Sequence, residues 1–245
     1  MDSMAAKPNL AAIAPVPLDV AWLLPAVLST TAGAVDVIGF LALGGLFAAH
    51  ITGNLVVLAS HYLTGGFSQI GPLLSVPVFI AVLGVVTVLS ANKATRVNRR
   101  AWLILQAVLL VGFLGLGAWL GPFTNPDAAT AVFSGMLGVA AMAIQNAVVR
   151  LALPGSPSTA AMTTNITQLA VDLATVVRGR GDPNELARAR HRARLTFLSV
   201  AGFVAGCATG GFLAVHFGLR ALALPVVLAV IAIPLGELWR DGATT

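Results

Sequence analysis

The chain has 245 residues, of which 58% are hydrophobic and only 9% charged, and its mean hydropathy is +0.91. A soluble domain carries about 45–50% apolar residues with glycine included and about 25% charged ones, so 25 glycines on top of this apolar share exclude a water-soluble globule. A single cysteine (Cys207), no Gly-rich phosphate loop and no metal-ligand spacing argue against a disulfide scaffold, a zinc domain or a nucleotide enzyme, and the net charge of +5 is explained by basic membrane loops rather than by nucleic acid.

Residues 1–19, with Lys7 and several prolines, lack the order of a signal peptide and read as a disordered cytoplasmic tail. Apolar stretches of about 20 residues are long enough to span a bilayer. Six occur, at 20–47, 72–92, 101–121, 127–152, 195–216 and 219–239. Two further pieces, 49–63 and 158–177, are shorter or more polar. The Arg-rich segment 178–194 reads as a cytoplasmic loop or a short surface helix starting at Asp182-Pro183-Asn184-Glu185. Trp22, Trp102, Trp119 and Trp239 fall near span ends, where aromatic anchors belong.

Lys and Arg of short loops stay cytoplasmic. With Lys93–Arg100 and 178–194 both inside, a membrane-crossing 158–177 would strand arginines outside; as a re-entrant segment it does not. The same logic makes 49–63 re-entrant. Thirteen of the 14 Lys and Arg residues then lie inside, with only Arg220 outside, and both termini are cytoplasmic.

The two odd segments resemble each other. Thr52-Gly53-Asn54 and Thr163-Thr164-Asn165 each precede an apolar helical run; Asp36 lies 18 residues before Asn54, and Asn146 lies 19 before Asn165. The expected fold is therefore all-α: six transmembrane helices plus two re-entrant or broken segments, arranged as two inverted three-span repeats over 20–121 and 127–240. Interrupted segments at equivalent places of inverted repeats point to a transporter site at the midplane. A broken helix frees backbone groups that hydrocarbon cannot satisfy, so it must be buried in protein or line a cavity.

Gly33-x-x-Asp36-x-x-x-Phe40, Phe47-x-x-His50-x-Thr52-Gly53-Asn54, Gly138 to Gln145-Asn146 and the later Thr-Thr-Asn together resemble the YoaK-like family of bacterial inner-membrane proteins, a family of unknown function. The likeness implies a compact six-span protein of the inner membrane and supplies no substrate.

Asp36 is the leading site candidate, because a carboxyl deep in a span costs about 2.5–3.5 kcal/mol on insertion scales and is rare unless paired or functional. Asp172, on the second odd segment, is read either as functional or as an interfacial partner of arginine such as Arg178. Asn54, Asn165, Thr52, Thr163 and Thr164 offer donors and acceptors beside the breaks, for a ligand or for freed backbone. Gln145 and Asn146 point about 100° apart on a helix, so one is expected to face a cavity and the other a neighbouring helix. His50 is a candidate proton relay. Gly202, Gly206 and Gly210 form a small-residue face for close helix approach, within the bundle or at a homodimer contact.

These residues lead to the expectation of a secondary transporter or facilitator for a small polar or anionic solute, with proton coupling through Asp36 as an option. A passive channel and a non-transporting scaffold are the alternatives. No enzyme activity, cofactor or metal is expected, since a threonine two residues from a histidine on a helix lacks the geometry of a nucleophile and its base.

Overall fold

The computed structural model describes residues 18–65, 70–90, 99–179 and 181–239. The expected tail at 1–19 and the basic stretch 93–98 therefore fall largely or wholly outside the described residues. Those described are all-helical: α1 (Leu18–Ala42), α2 (Ile51–Thr64), α3 (Ile70–Ser90), α4 (Arg99–Leu120), α5 (Ala129–Ala152), α6 (Met162–Arg178), α7 (Pro183–Phe217), a 3-10 turn (Gly218–Leu222) and α8 (Ala223–Leu238). Five helical stretches are long and apolar enough to cross a membrane, at 22–42, 70–90, 99–120, 129–152 and the continuous 183–238. The protein is an all-α membrane protein.

Three boundaries differ from the sequence expectation. The first span stops at Ala42, because the chain turns on Gly44 and Gly45 at φ 64° and 89°, a conformation glycine takes without steric cost. The arginine segment is not a separate loop or helix after Pro183 but the opening of α7. Asp182 caps it by accepting from the Asn184 N–H at 3.1 Å, Pro183 sits in the first turn where its missing N–H costs nothing, and no breaker follows before Phe217. The expected spans 195–216 and 219–239 are joined only by the 3-10 turn. With 35 residues α7 is about 52 Å long, well beyond the about 30 Å of a hydrocarbon core. By contrast α2, with 14 residues, reaches only about 21 Å and α6, with 17, about 25 Å.

The centre of the bundle is α1 and α5, whose apolar windows are 72% and 67% buried, against 11% for α3. Helix α1 packs on α7 and α8, α5 packs on α3 and α4, and α4 meets α8; α2 lies on α3 and α6 lies on α7. The glycine face of α7 is a contact inside the bundle, with α1. A Cβ on Gly206 would fall 2.1 Å from the Thr30 carbonyl oxygen, and one on Gly202 would fall 2.7 Å from that of Ala26. The hydroxyls of Ser29 and Ser199 hydrogen-bond across the same seam at 2.6 Å.

Side chains also tie the helix ends together. The Arg99 guanidinium donates to the Ala152 and Trp239 carbonyls at 3.1 and 3.0 Å, joining the start of α4 to the ends of α5 and α8. Trp22, at the start of α1, lies under the Arg194 guanidinium at 5.3 Å and meets the His191 ring edge-on. At the other end Asp127 accepts from the Ile70 N–H at 3.0 Å, and Arg220 borders a cavity with the ends of α1 and α4.

Candidate functional site

Both short helices begin at a backbone device that the sequence carries twice. Where α1 stops, the chain folds back beside it through 43–50 before α2 leaves; where α5 stops, 153–161 precedes α6. Asn54 Nδ2 donates to the Phe47 carbonyl at 2.7 Å, and Asn165 Nδ2 donates to the Ser158 carbonyl at 2.6 Å, in each case seven residues back. The helix caps, His50 and Ala161, each stand four residues before that asparagine, and neither caps through its side chain. The asparagines thus satisfy carbonyls that the broken helix leaves free.

Around this device the side chains differ. At the first break Asp36 is buried, and its Oδ1 accepts from the N–H groups of Ala48 and Ala49 at 2.8 and 2.6 Å. Its Oδ2 meets His50 Nδ1 at 2.5 Å, and the imidazole edge rests on the Phe203 ring of α7. Asn54 also accepts from the Phe47 N–H at 2.8 Å and donates to Ser75 Oγ at 2.7 Å. Every side-chain oxygen and nitrogen of Asp36 and Asn54 is therefore engaged by protein, and the imidazole is the exposed member of the cluster, at 24%.

At the second break the tether is an amide. Gln145 Nε2 donates to Thr159 Oγ1 at 3.1 Å and to the Leu28 carbonyl at 2.9 Å, while its Oε1 accepts from Gln106 Nε2 at 2.8 Å. The correspondence read from sequence, Asp36 with Asn146, shifts by one residue: Gln145 holds the second loop, and Asn146 bonds the Met142 carbonyl of its own helix. Asn146 instead faces a cavity of about 610 Å³, together with Thr164, Asn165, Gln168, Arg150 and Arg192. The division expected for the pair, one to a neighbouring helix and one to a cavity, describes their placement.

Asp172 is buried on α6 and takes Arg192 of α7, at 2.7 and 3.3 Å, rather than Arg178 of its own helix. An arginine side chain is always cationic, and the Asp172 carboxylate holds the Arg192 guanidinium at the cavity wall. Thr52 and Thr163 are exposed. The structure thus gathers Asn146, Thr164 and Asn165 on one cavity and Asp36, His50 and Asn54 in one hydrogen-bonded cluster. It does not put both breaks on a common cavity, because none of residues 43–54 lines the larger one. Helix α2 leans on α3 and helix α6 on α7, and each break also meets the other's supporting helix, His50 touching Phe203 and the cavity including Phe79.

Sequence reasoning passed over Gln106, Arg150 and Arg192. Gln106 had a signal: it is the lone amide in the apolar run of α4, and it is fully buried. The two arginines looked like topology charges because nothing in a linear loop shows that α7 runs back along α6.

The model of a family described as a protein of unknown function, DUF1275, matches residues 24–235. No curated protein and no solved structure matches the chain.

Proposed function

The chain belongs to the DUF1275 family, and we propose that it is a secondary transporter or facilitator for a small anionic solute, bound at the second break. The observation that carries this reading is the cavity of about 610 Å³. Two guanidiniums (Arg150 and Arg192), three side-chain amides (Asn146, Asn165 and Gln168) and Thr164 converge there with the start of α6, whose first N–H groups have no side-chain cap. A helix N-terminus beside fixed cations favours negative charge, and a concave site with a few convergent polar groups is the usual form of a small-ligand pocket.

Alternating access needs two halves related by exchange, and the packing pattern supports that relation. Swapping α1–α4 with α5–α8 turns the α1–α7 seam into α5–α3, α1–α8 into α5–α4, α2–α3 into α6–α7, and α4–α8 into itself, all of them contacts that occur. On this reading α1, α3, α4, α5, α7 and α8 are six spans, and α2 and α6 are re-entrant. Arg99 reaches the ends of α5 and α8, Arg150 lies in the last turn of α5 and Arg194 lies over Trp22 at the start of α1, all at one end of the bundle, which favours that end, with both termini, as cytoplasmic under the positive-inside rule. The likeness to the YoaK-like family favours the bacterial inner membrane. One observation favours the scaffold alternative: Asp36 is fully engaged by protein groups.

The test is a thermal-stability series on purified protein with chloride, inorganic phosphate and small carboxylates, followed by uptake into proteoliposomes. A ligand at concentration c stabilises the folded state by RT ln(1 + c/Kd), about 2.7 kcal/mol at a hundredfold excess. We expect at least one anion to stabilise the wild type and to lose that effect in Arg150→Gln. Stabilisation that survives in Arg150→Gln and Asn165→Ala moves the site elsewhere; binding without uptake favours the scaffold. Cysteines at Thr64 and Asn125 are expected to react from the periplasm and one at Asn184 only after the cell is opened.

A further inference from the structure

We propose that Asp36 and His50 form a proton-binding pair that latches the first break shut, so that loss of a proton from His50 releases the loop 43–50. This deepens the transporter reading and rests on it for what the latch controls. Asp36 Oδ1 already accepts two backbone N–H groups of that loop, which fixes the carboxylate as an acceptor. Its Oδ2 faces Nδ1 of the imidazole, so Nδ1 carries the hydrogen and exchange with water takes place at Nε2.

The proton balance is simple. A hydronium ion gives its proton to the Nε2 lone pair, so that one O–H bond breaks and one N–H bond forms with release of water, and the pair passes from one net negative charge to a neutral carboxylate–imidazolium couple. A buried charge without a counter-charge is costly, whereas a paired one is tolerated when its hydrogen bonds are complete. Protonation therefore favours the closed loop, and deprotonation leaves the buried carboxylate hydrogen-bonded to N–H groups but without a counter-charge.

Few other groups compete for this role. From α7 the neighbours are the Phe203 ring against the imidazole and the Cys207 thiol, which donates to the Gly33 carbonyl one turn from Asp36. Helix α3 carries no titratable residue, and α2 carries only His61 and Tyr62 near its far end. The second break has Ala161 where the first has His50, and an amide tether where the first has a carboxylate. A proton can thus act on one break and not on the other.

The experiment uses the full chain in liposomes in a Cys207→Ala background, with Leu46→Cys as reporter. Leu46 is buried in the loop, at 2% exposure, so its replacement reacts with a maleimide only when the loop opens. The rate is divided by that of an exposed Thr64→Cys reference to remove thiolate chemistry, and is followed between about pH 5 and 8, where an imidazole changes charge. The normalised rate is expected to rise at least about fivefold toward high pH, the lower end of ordinary coupling between sites. In His50→Gln, which still presents an N–H to Asp36, and in Asp36→Asn the profile is expected to be flat. A flat wild-type profile overturns the proposal, as does a His50→Gln profile that overlays the wild type. If Asp36→Asn fails to fold, His50→Gln decides alone. Anion stabilisation measured on the same His50→Gln protein at one pH is expected to persist. Its loss there would mean that His50 belongs to the solute site and would overturn the separate latch, while its absence from wild type as well would remove the transporter reading.

Discussion

Phe47 and His50 occupy, at the first break, the positions that Ser158 and Ala161 hold at the second, counted from the asparagine that clamps each loop. One break has an aromatic ring and an imidazole, and closes; the other has a hydroxyl and a methyl, and borders a cavity of about 610 Å³. The backbone device is the same in both, so the difference lies in side-chain volume and charge. The same asparagine clamp thus sits in two settings: a carboxylate–imidazole tether on a closed loop, and an amide tether beside an open pocket walled by Arg150 and Arg192. Their neighbours follow suit, since Arg150 and Arg192 line the cavity at the second break, whereas the Phe203 ring and Ser75 pack against the first.

Asn54→Leu should break this comparison hardest. It strands the Phe47 N–H and carbonyl and removes the Ser75 partner in a fully buried site, at about 1–3 kcal/mol for each unsatisfied group. We expect a loss of about 3–6 kcal/mol by denaturant unfolding in detergent, and only about 1–2 kcal/mol for Asn165→Leu, whose single carbonyl partner lies next to the cavity. Equal losses would mean that the second break is as dry as the first.

Sealing the second break comes next. Ser158→Phe combined with Ala161→His gives it the side chains of the first. Stabilisation by the best anion, about 2.7 kcal/mol at a hundredfold excess over Kd, should vanish. An unchanged thermal shift would place the anion outside the cavity.

Gln145→Leu tests whether the amide tether matters as the carboxylate does. It deprives Gln106, Leu28 and Thr159 of their partner in the bundle core, at about 2–3 kcal/mol by chemical unfolding. The smallest effect is expected for Asp172→Asn. Arg192 is half exposed and turns to water when the pair is weakened, so stability should fall by at most about 1 kcal/mol. The freed guanidinium should then raise anion affinity, which isothermal titration reads directly; a lower affinity would assign Asp172 itself to ligand binding.

The sequence by itself determined the membrane class, the positions of the long apolar helices apart from the end of α1 and the start of α7, and the existence of two short, odd segments. Each of these rests on local information: hydropathy over a span's length, glycines that permit a turn, and an asparagine at a fixed offset from the carbonyl it serves. Asp36 was legible as a special residue for the same reason, since an isolated carboxyl in an apolar run is costly wherever the run folds. What only the tertiary structure decided depends on which helices lie side by side. Helix α7 continues through its arginines and returns along α6, which turns Arg192 from a topology charge into the partner of Asp172 and a wall of the cavity. Gln145 rather than Asn146 tethers the second loop because α1, α4 and α5 meet at its face. The two breaks took different characters because Phe203 closes on His50, whereas Phe79 and Ser158 line an open cavity at the second. Such contacts join side chains on different helices, 20 residues apart for Asp172 and Arg192, 39 for Gln106 and Gln145 and 117 for Leu28 and Gln145, and no periodicity along the chain encodes them.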